Sequence, residues 1–251
     1  MDNFTNDTDI KLIALDMDGT LLNNKGEVSK ANQQAIKAAK DKGVHVVLST
    51  GRSLLTSREH ADALGLNSYL VTVNGSEIWD ENREIIERNL VSPEHIQWMW
   101  ELTKQHHTKF WAINTERNWH NEMPDEIHML QWLKFGFWTE DAATREIIQR
   151  ELEAKGAFEL SNSTLKNIEV NPKGIHKARG LGIVCRKLGI KMGNVMAVGD
   201  SRNDLMMIKE AGLGVAMGNA QEVVKQAADW VTATNEEDGV AKAIHKWVLC
   251  T

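Results

Sequence analysis

Asp16-Met17-Asp18-Gly19-Thr20 follows directly on the apolar run Ile10-Lys11-Leu12-Ile13-Ala14-Leu15. The run reads as a buried strand over 10–16, and the two carboxylates stand where it stops. In an open parallel sheet, ligands bind beyond the carboxyl ends of the strands. Asp16 and Asp18, two residues apart at such an end, can therefore face one site. Gly19 permits a sharp turn that other residues resist, and Thr20 adds a hydroxyl. A carboxylate can act as a nucleophile towards phosphorus, and a second carboxyl can shuttle a proton. Paired carboxylates also attract a hard cation such as Mg²⁺. Turns favour Asp and Gly for conformational reasons alone, so the rest of the chain decides.

Working outward, a helix capped by Ser29 runs through Ala31, Ala35, Ile36 and Ala39 towards Gly43. A strand over 44–48 ends in Ser49-Thr50-Gly51-Arg52, and a helix follows over 54–64. A third strand, 69–73, ends in Asn74-Gly75. Strands alternating with helices imply a parallel sheet with helices on both faces. The rhythm then changes. Short strands at 77–79 and 84–87 suggest a hairpin, and Ser92-Pro93 opens a helix. Residues 107–138 resist parsing beyond a strand at 109–113 and a dense set of aromatics. A helix over 141–155 and strands at 157–160 and 165–170 complete an α+β insert. The first rhythm returns near Gly174, with a helix over 176–188 and a strand over 194–198 that ends in Gly199-Asp200. A helix through Leu205, a strand at 214–217 and helices near 222–228 and 237–249 close the chain.

Composition sets bounds. The chain has 251 residues, enough for one large domain or two smaller ones without disulfides. Lys plus Arg is 29 against 35 Asp plus Glu, a formal net charge of -6, which argues against broad nucleic-acid affinity. Only Cys185 and Cys250 are present, so a disulfide framework is not expected and a reducing cytoplasm fits. The polar stretch 1–9 lacks a signal-peptide pattern, no apolar run approaches a membrane span, and the sequons at Asn3, Asn6 and Asn162 are expected to be chance.

Four clusters fall in order along the chain: Asp16/Asp18, Thr50-Gly51, Lys177 at a helix start, and Gly199-Asp200 with Asn203-Asp204. Together they supply what phosphoryl transfer needs, namely donors and cations around anionic oxygens. Thr50 offers a hydroxyl, Gly51 an open backbone N–H, and Lys177 positive charge. Asp16, Asp18 and Asp200 can hold Mg²⁺, which offsets repulsion between an anionic nucleophile and an anionic substrate. Asn203 could also cap a helix and Asp204 complement its dipole. Arg52 reads as structural.

On these residues the chain resembles the haloacid dehalogenase (HAD) superfamily phosphatases of the Cof type. The resemblance runs from Lys11 to Trp247 and rests on Asp-X-Asp-Gly-Thr together with Gly-Asp-X-X-Asn-Asp. It implies an α/β Rossmann-like core, residues 1–82 and 173–251, with an α+β cap inserted at 83–172. It also implies Asp16 as nucleophile and Asp18 as general acid/base. Thr50, Gly51, Lys177, Asn203 and the Met17 backbone would bind phosphate, with Thr20 in support. Asp16, Asp18 and Asp200 would ligate Mg²⁺, and Asp204 would orient Lys177 or the metal shell. His176 stands where the family often has a small polar residue.

The implied activity is Mg²⁺-dependent hydrolysis of a small phosphomonoester, a sugar phosphate or phosphorylated cofactor, through a phospho-Asp16 in the cytoplasm. A phosphomutase of the same fold is the enzymatic alternative, and a phosphorylation-dependent regulator the alternative from another class. Neither a nucleic acid nor a membrane is expected as partner. The substrate is to be read from the insert, which holds six of the nine tryptophans: Trp98, Trp100, Trp111, Trp119, Trp132 and Trp138. Indoles can stack on planar ligands or fill a core. His107, Lys109, Arg117 and His120 are the polar candidates for leaving-group recognition.

Overall fold

A computed structural model describes residues 9–250. The sequons at Asn3 and Asn6 lie outside the described residues. Strand β1 (Leu12–Leu15) leads to helix α1 (Lys30–Asp41), β2 (His45–Ser49), α2 (Leu54–Ala63) and β3 (Leu70–Thr72). The hairpin of β4 (Glu77–Trp79) and β5 (Ile85–Arg88) follows. Next come α3 (Pro93–Gln105), β6 (Lys109–Asn114), β7 (Asn118–His120), β8 (Trp132–Trp138), α4 (Ala142–Lys155), β9 (Phe158–Ser161) and β10 (Asn167–Pro172). The chain closes with α5 (Lys177–Leu188), β11 (Val195–Gly199), α6 (Leu205–Glu210), β12 (Leu213–Ala216), α7 (Glu222–Ala227), β13 (Trp230–Val231) and α8 (Gly239–Ile244).

Eight strands form one sheet in the order β13-β12-β11-β1-β2-β3-β4-β5. The first six run parallel, and the β4–β5 hairpin extends the edge antiparallel. β1 lies inside the sheet, with Ile13 between Met196 of β11 and Val46 of β2. Its alternation feeds two cores. Ile13 and Leu15 pack with Ile36 and Ala39 of α1 and Ile244 of α8. Leu12 and Ala14 pack with Leu181 and Val184 of α5. Both faces are covered, which is why the strand reads as continuous apolar sequence. Each large apolar side chain contributes about 1.5–3 kcal/mol when taken out of water.

A separate antiparallel sheet runs β7-β6-β8-β10-β9. Phe110, Ala112, Phe135, Phe137, Ile168 and Val170 form one face with Ile96, Met99, Ile148 and Leu152 of α3 and α4. The alternate residues Trp111, Ile113, Lys134 and Glu169 line a cleft shared with Asp16 and Asp200. The expected insert, 83–172, begins within the β4–β5 hairpin. Strand β5 is bonded to β4 in the larger sheet, and its Ile86 packs on the α5 side of the core.

Two other sequence expectations shift. The segment 107–138 resolves into β6, β7 and β8, whose aromatics divide between the two faces of the smaller sheet, Phe110, Phe135 and Phe137 towards the helices and Trp111 away from them. The helix expected over 237–249 divides into α8 and a π-helical turn, His245–Leu249. Among the described residues no helix is long and apolar enough to cross a membrane.

Candidate active site

β1 delivers Asp16 to the carboxyl edge of the sheet, where its amide donates to Val198 O of the neighbouring β11 at 3.0 Å. Asp16 is 4% exposed. Lys177, at the first turn of α5, is fully buried and donates from Nζ to Asp16 Oδ1 and to Asp204 Oδ1, each at 2.6 Å. Asp204 Oδ2 accepts from the amides of Asp200 and Ser201, both at 3.0 Å, which fixes the loop after β11. Asp200 Oδ1 accepts from Thr20 Oγ1 at 3.0 Å. Gly19 has φ +78°, and a Cβ there would fall 2.6 Å from Asp200 Oδ2. The glycine thus serves both the left-handed turn and the close approach of the two loops.

Asp16, Asp200 and Asp204 each offer an oxygen within 4.8 Å of the others, a set that fits a hard divalent cation. Burial, then Asp204, pushes the Asp16 carboxyl well above its usual range, against the pull of Lys177. Burial and Asp204 likewise push Asp200 up to about 7, against the Thr20 hydrogen bond. Burial alone would lower Lys177, but Asp16 and Asp204 outweigh it and hold the ammonium charged. Three carboxylates sharing one lysine leave excess negative charge, which a bound cation would compensate.

Asp18 stands apart from that triad. Its carboxylate takes a bidentate pair from Arg52, Nε to Oδ2 at 2.8 Å and Nη2 to Oδ1 at 2.6 Å. Its side chain is 58% exposed at the mouth of the cleft. The sequence names Asp18 beside Asp16 and Asp200 as a metal ligand; the oxygens that cluster are those of Asp16, Asp200 and Asp204, and Arg52, read as structural, holds the second carboxylate of the motif. The amides of Met17 and Gly51 have no hydrogen-bond partner among the described residues, which leaves two donors for an anion. Thr50 Oγ1 accepts from the Arg52 amide at 3.1 Å. His176 caps α5, its Nδ1 accepting from the Arg179 amide.

The cleft has a volume of about 500 Å³ and reaches from Asp16, Asp18 and Asp200 to Trp111, Asn118 and His120 of the smaller sheet. Ser163, Thr164, Lys134 and Glu169 complete that wall. Of the sequence candidates in the insert, Trp111 and His120 line the cleft. Lys109 lies over the Trp138 ring, and Arg117 over Trp119. Trp119 itself packs into the helix-side core of the insert, and Trp132 is fully buried there.

Sequence reading missed a buried polar network that joins the two sheets. Lys134 Nζ lies 2.9 Å from Glu169 Oε2, with both side chains at most 5% exposed. Glu169 Oε2 also accepts from Asn74 Nδ2 at 2.7 Å and Asn203 Nδ2 at 3.4 Å, and Oε1 from Ser163 Oγ at 3.0 Å. Lys134 Nζ reaches Gly51 O at 3.4 Å. Burial would raise the Glu169 carboxyl, yet Lys134 and Asn74 hold it below its ordinary range. Asn74, at φ +57°, and Asn203 belong to the larger sheet's loops, so this pair seats one sheet on the other.

Removing one partner from a buried ion pair leaves an uncompensated charge. Lys134→Met is therefore expected to lower the unfolding free energy by about 3–5 kcal/mol in urea denaturation. A loss under about 1 kcal/mol would mean that Glu169 is satisfied without the lysine.

Residues 13–136 and 124–244 match the family model for haloacid dehalogenase-like hydrolases. The chain is 56% identical, over 97% of its length and 98% of the relative's, to 5-amino-6-(5-phospho-D-ribitylamino)uracil phosphatase YcsE of Bacillus subtilis. It is 32% identical, over 96% of its length and 99% of the relative's, to a phosphoglycolate phosphatase of Methanobrevibacter smithii. A solved haloacid dehalogenase-like hydrolase from Bacteroides thetaiotaomicron superposes with a TM-score of 0.79 at 31% identity, covering 94% of this chain and 99% of that one.

Proposed function

The chain belongs to the haloacid dehalogenase-like hydrolase family and is a phosphatase, and from that premise we propose a Mg²⁺-dependent hydrolase of 5-amino-6-(5-phospho-D-ribitylamino)uracil or a closely similar polyol phosphate. The observation that carries the chemistry is Lys177 clamped between Asp16 and Asp204 beneath the cleft. That clamp occupies Asp16 Oδ1 and leaves Oδ2 without a partner among the described residues. Asp16 is the nucleophile. Its free oxygen attacks phosphorus, the bond to the leaving oxygen breaks, and Asp18 supplies the proton that oxygen needs. Asp18, now a carboxylate, takes a proton from water as the water attacks phospho-Asp16. The Asp16–phosphorus bond breaks, inorganic phosphate leaves, and both carboxyls are restored. Lys177, the Met17 and Gly51 amides, Thr50 and Asn203 would surround the phosphoryl oxygens.

Asp16 and Asp200 would hold Mg²⁺, and Asp204 would orient Lys177 and the loop after β11. When bound, the ion neutralises charge on the phosphoryl group and lets an anionic nucleophile approach it. Arg52 engages both oxygens of Asp18, so Asp18 would transfer a proton, or join Asp16 and Asp200 on the ion, once that grip loosens.

The core expected at 1–82 and 173–251, with β5 added, would do this chemistry. The segment between would be the cap that selects the leaving group. The free thiols of Cys185 and Cys250 accord with a reducing, cytoplasmic setting. The 56% identity over nearly the whole chain favours the ribitylaminouracil ester over other phosphates. The test is phosphate release across a panel of phosphometabolites, with Mg²⁺ and with excess chelator. Preference for that ester, lost on chelation and on Asp200→Ala, is expected; full activity in chelator overturns the metal assignment.

A pH dependence follows from the carboxylate cluster. Free Asp titrates near 3.9, whereas Asp200 in the folded, metal-free protein titrates at about 7. Between these values the folded state binds more protons than the unfolded one. Metal-free stability should therefore fall as pH rises from about 4 to about 7, the reverse of an ordinary salt-bridged carboxylate. Mg²⁺ should raise the melting temperature more at pH 8 than at pH 5. An equal rise at both values would show that the cation does not engage this cluster.

A further inference from the structure

Trp111 differs from the other eight tryptophans. Seven of the nine carry a Lys or Arg over the ring: Trp79, Trp98, Trp100, Trp119, Trp138, Trp230 and Trp247. Trp132 is fully buried, with its N–H bonded to Ile127 O. Trp111 is half-buried and, among the described residues, has no ring or cation against it. It lines the cleft that contains Asp16.

Its placement is built by the sheet. Trp111 of β6 pairs with His120 of β7 on one side and Gly136 of β8 on the other, and Gly136 pairs with Glu169 of β10. One row of residues thus crosses the wall that faces Asp16. A Cβ at Gly136 would fall 2.2 Å from the indole Cε2 and Cζ2. The six-membered ring of Trp111 lies where any other residue at 136 would begin its side chain. Glycine inside a strand forfeits packing and often marks a close approach. Here it lets a large ring lie across the sheet, anchored by Ile113 and Leu133.

We propose that Trp111, laid across Gly136, is the subsite that stacks a planar ring carried by the leaving group. The proposal rests on the phosphatase reading and adds the feature that distinguishes ring-bearing esters from ringless ones. Aromatic side chains stack on nucleobase-like rings with energies that alanine substitution exposes. Asp16 follows a strand of the larger sheet and Trp111 belongs to the smaller one, and both line the same cleft, so the phosphate and the ring of one ester would be read by different sheets.

The experiment compares kcat/KM for 5-amino-6-(5-phospho-D-ribitylamino)uracil, uridine 5′-monophosphate and ringless ribitol 5-phosphate. Trp111→Ala should lower the ring-bearing substrate that wild type prefers by about 10–100-fold and leave ribitol phosphate within about 3-fold. Trp111→Phe should restore most of the loss. Gly136→Ala should reproduce it with the indole still present. A common factor across all three esters in Trp111→Ala, unrelieved in Trp111→Phe, overturns the proposal even if wild type prefers the ribitylaminouracil ester. If wild type ignores that ester yet Trp111→Ala selectively loses uridine monophosphate, the proposed substrate fails and the stacking subsite stands.

Discussion

Asp16→Asn is expected to fold and to lose turnover by at least about 10⁴-fold, as nucleophile removal does elsewhere. The amide keeps the shape of the carboxylate but is a very poor nucleophile towards phosphorus. The fold should survive for an electrostatic reason. Asp16 is buried beside Asp204 and Asp200, and its carboxyl is held well above the usual range. Neutralising it removes one of three crowded charges, while Lys177 keeps Asp204 as its partner. Melting temperature and phosphate release, measured on one preparation, separate the two effects. Mass spectrometry must exclude deamidation back to Asp. Near wild-type release by a chain that still carries the Asp16→Asn substitution would sink covalent catalysis, whereas joint loss of activity and folding would show that Asp16 is mainly a partner of Lys177.

The core was legible because its signals are local. The apolar run before Asp16, Ser29 as a cap, and Gly-Asp before Asn203-Asp204 each constrain their own few residues. In the structure they fall where strand and helix physics puts them: Ser29 Oγ accepts from the Asn32 amide, and Asp16 and Asp200 meet beyond β1 and β11. The insert was harder to read because its signal is relational. In Trp132-Leu133-Lys134-Phe135-Gly136-Phe137-Trp138 strict period two would group Trp132 with Lys134 and Gly136, but a register irregularity opposite Ile113/Asn114 turns Trp132 to the side of Phe135 and Phe137. A lysine centred in such a run implies a buried charge that needs a partner. Glu169, between Ile168 and Val170, carries the complementary signal. Each is visible alone; only the register of β8 and β10 brings them together. The cluster of Trp in the insert pointed towards a ligand or a core, and the sheet divides it: Trp119 and Trp132 to the core, Trp111 to the cleft. Asp18 illustrates the opposite limit. Its place in the motif is plain in sequence, but the pairing of its carboxylate with Arg52, 34 residues on, is not.

That outward carboxylate frames the second large effect. Asp18→Asn should lower kcat by roughly 10²–10⁴-fold on alkyl phosphates, whose leaving oxygen must be protonated as it departs. On an acyl phosphate or another ester with a stable leaving anion, the same variant should lose much less. The expectation rests on position: Asp18 lines the mouth of the cleft, one turn from the nucleophile, and is exposed enough to exchange a proton with water. In the structure both its oxygens accept from Arg52. Donating a proton in the first step requires that grip to loosen. Arg52→Gln should accordingly disturb the two steps differently, while an Asp18→Asn chain leaves the arginine without its charged partner. Leaving-group dependence is the deciding measurement. If Asp18→Asn slows alkyl and acyl phosphates by the same factor, the residue positions the loop or the cation, and the leaving oxygen takes its proton from another source.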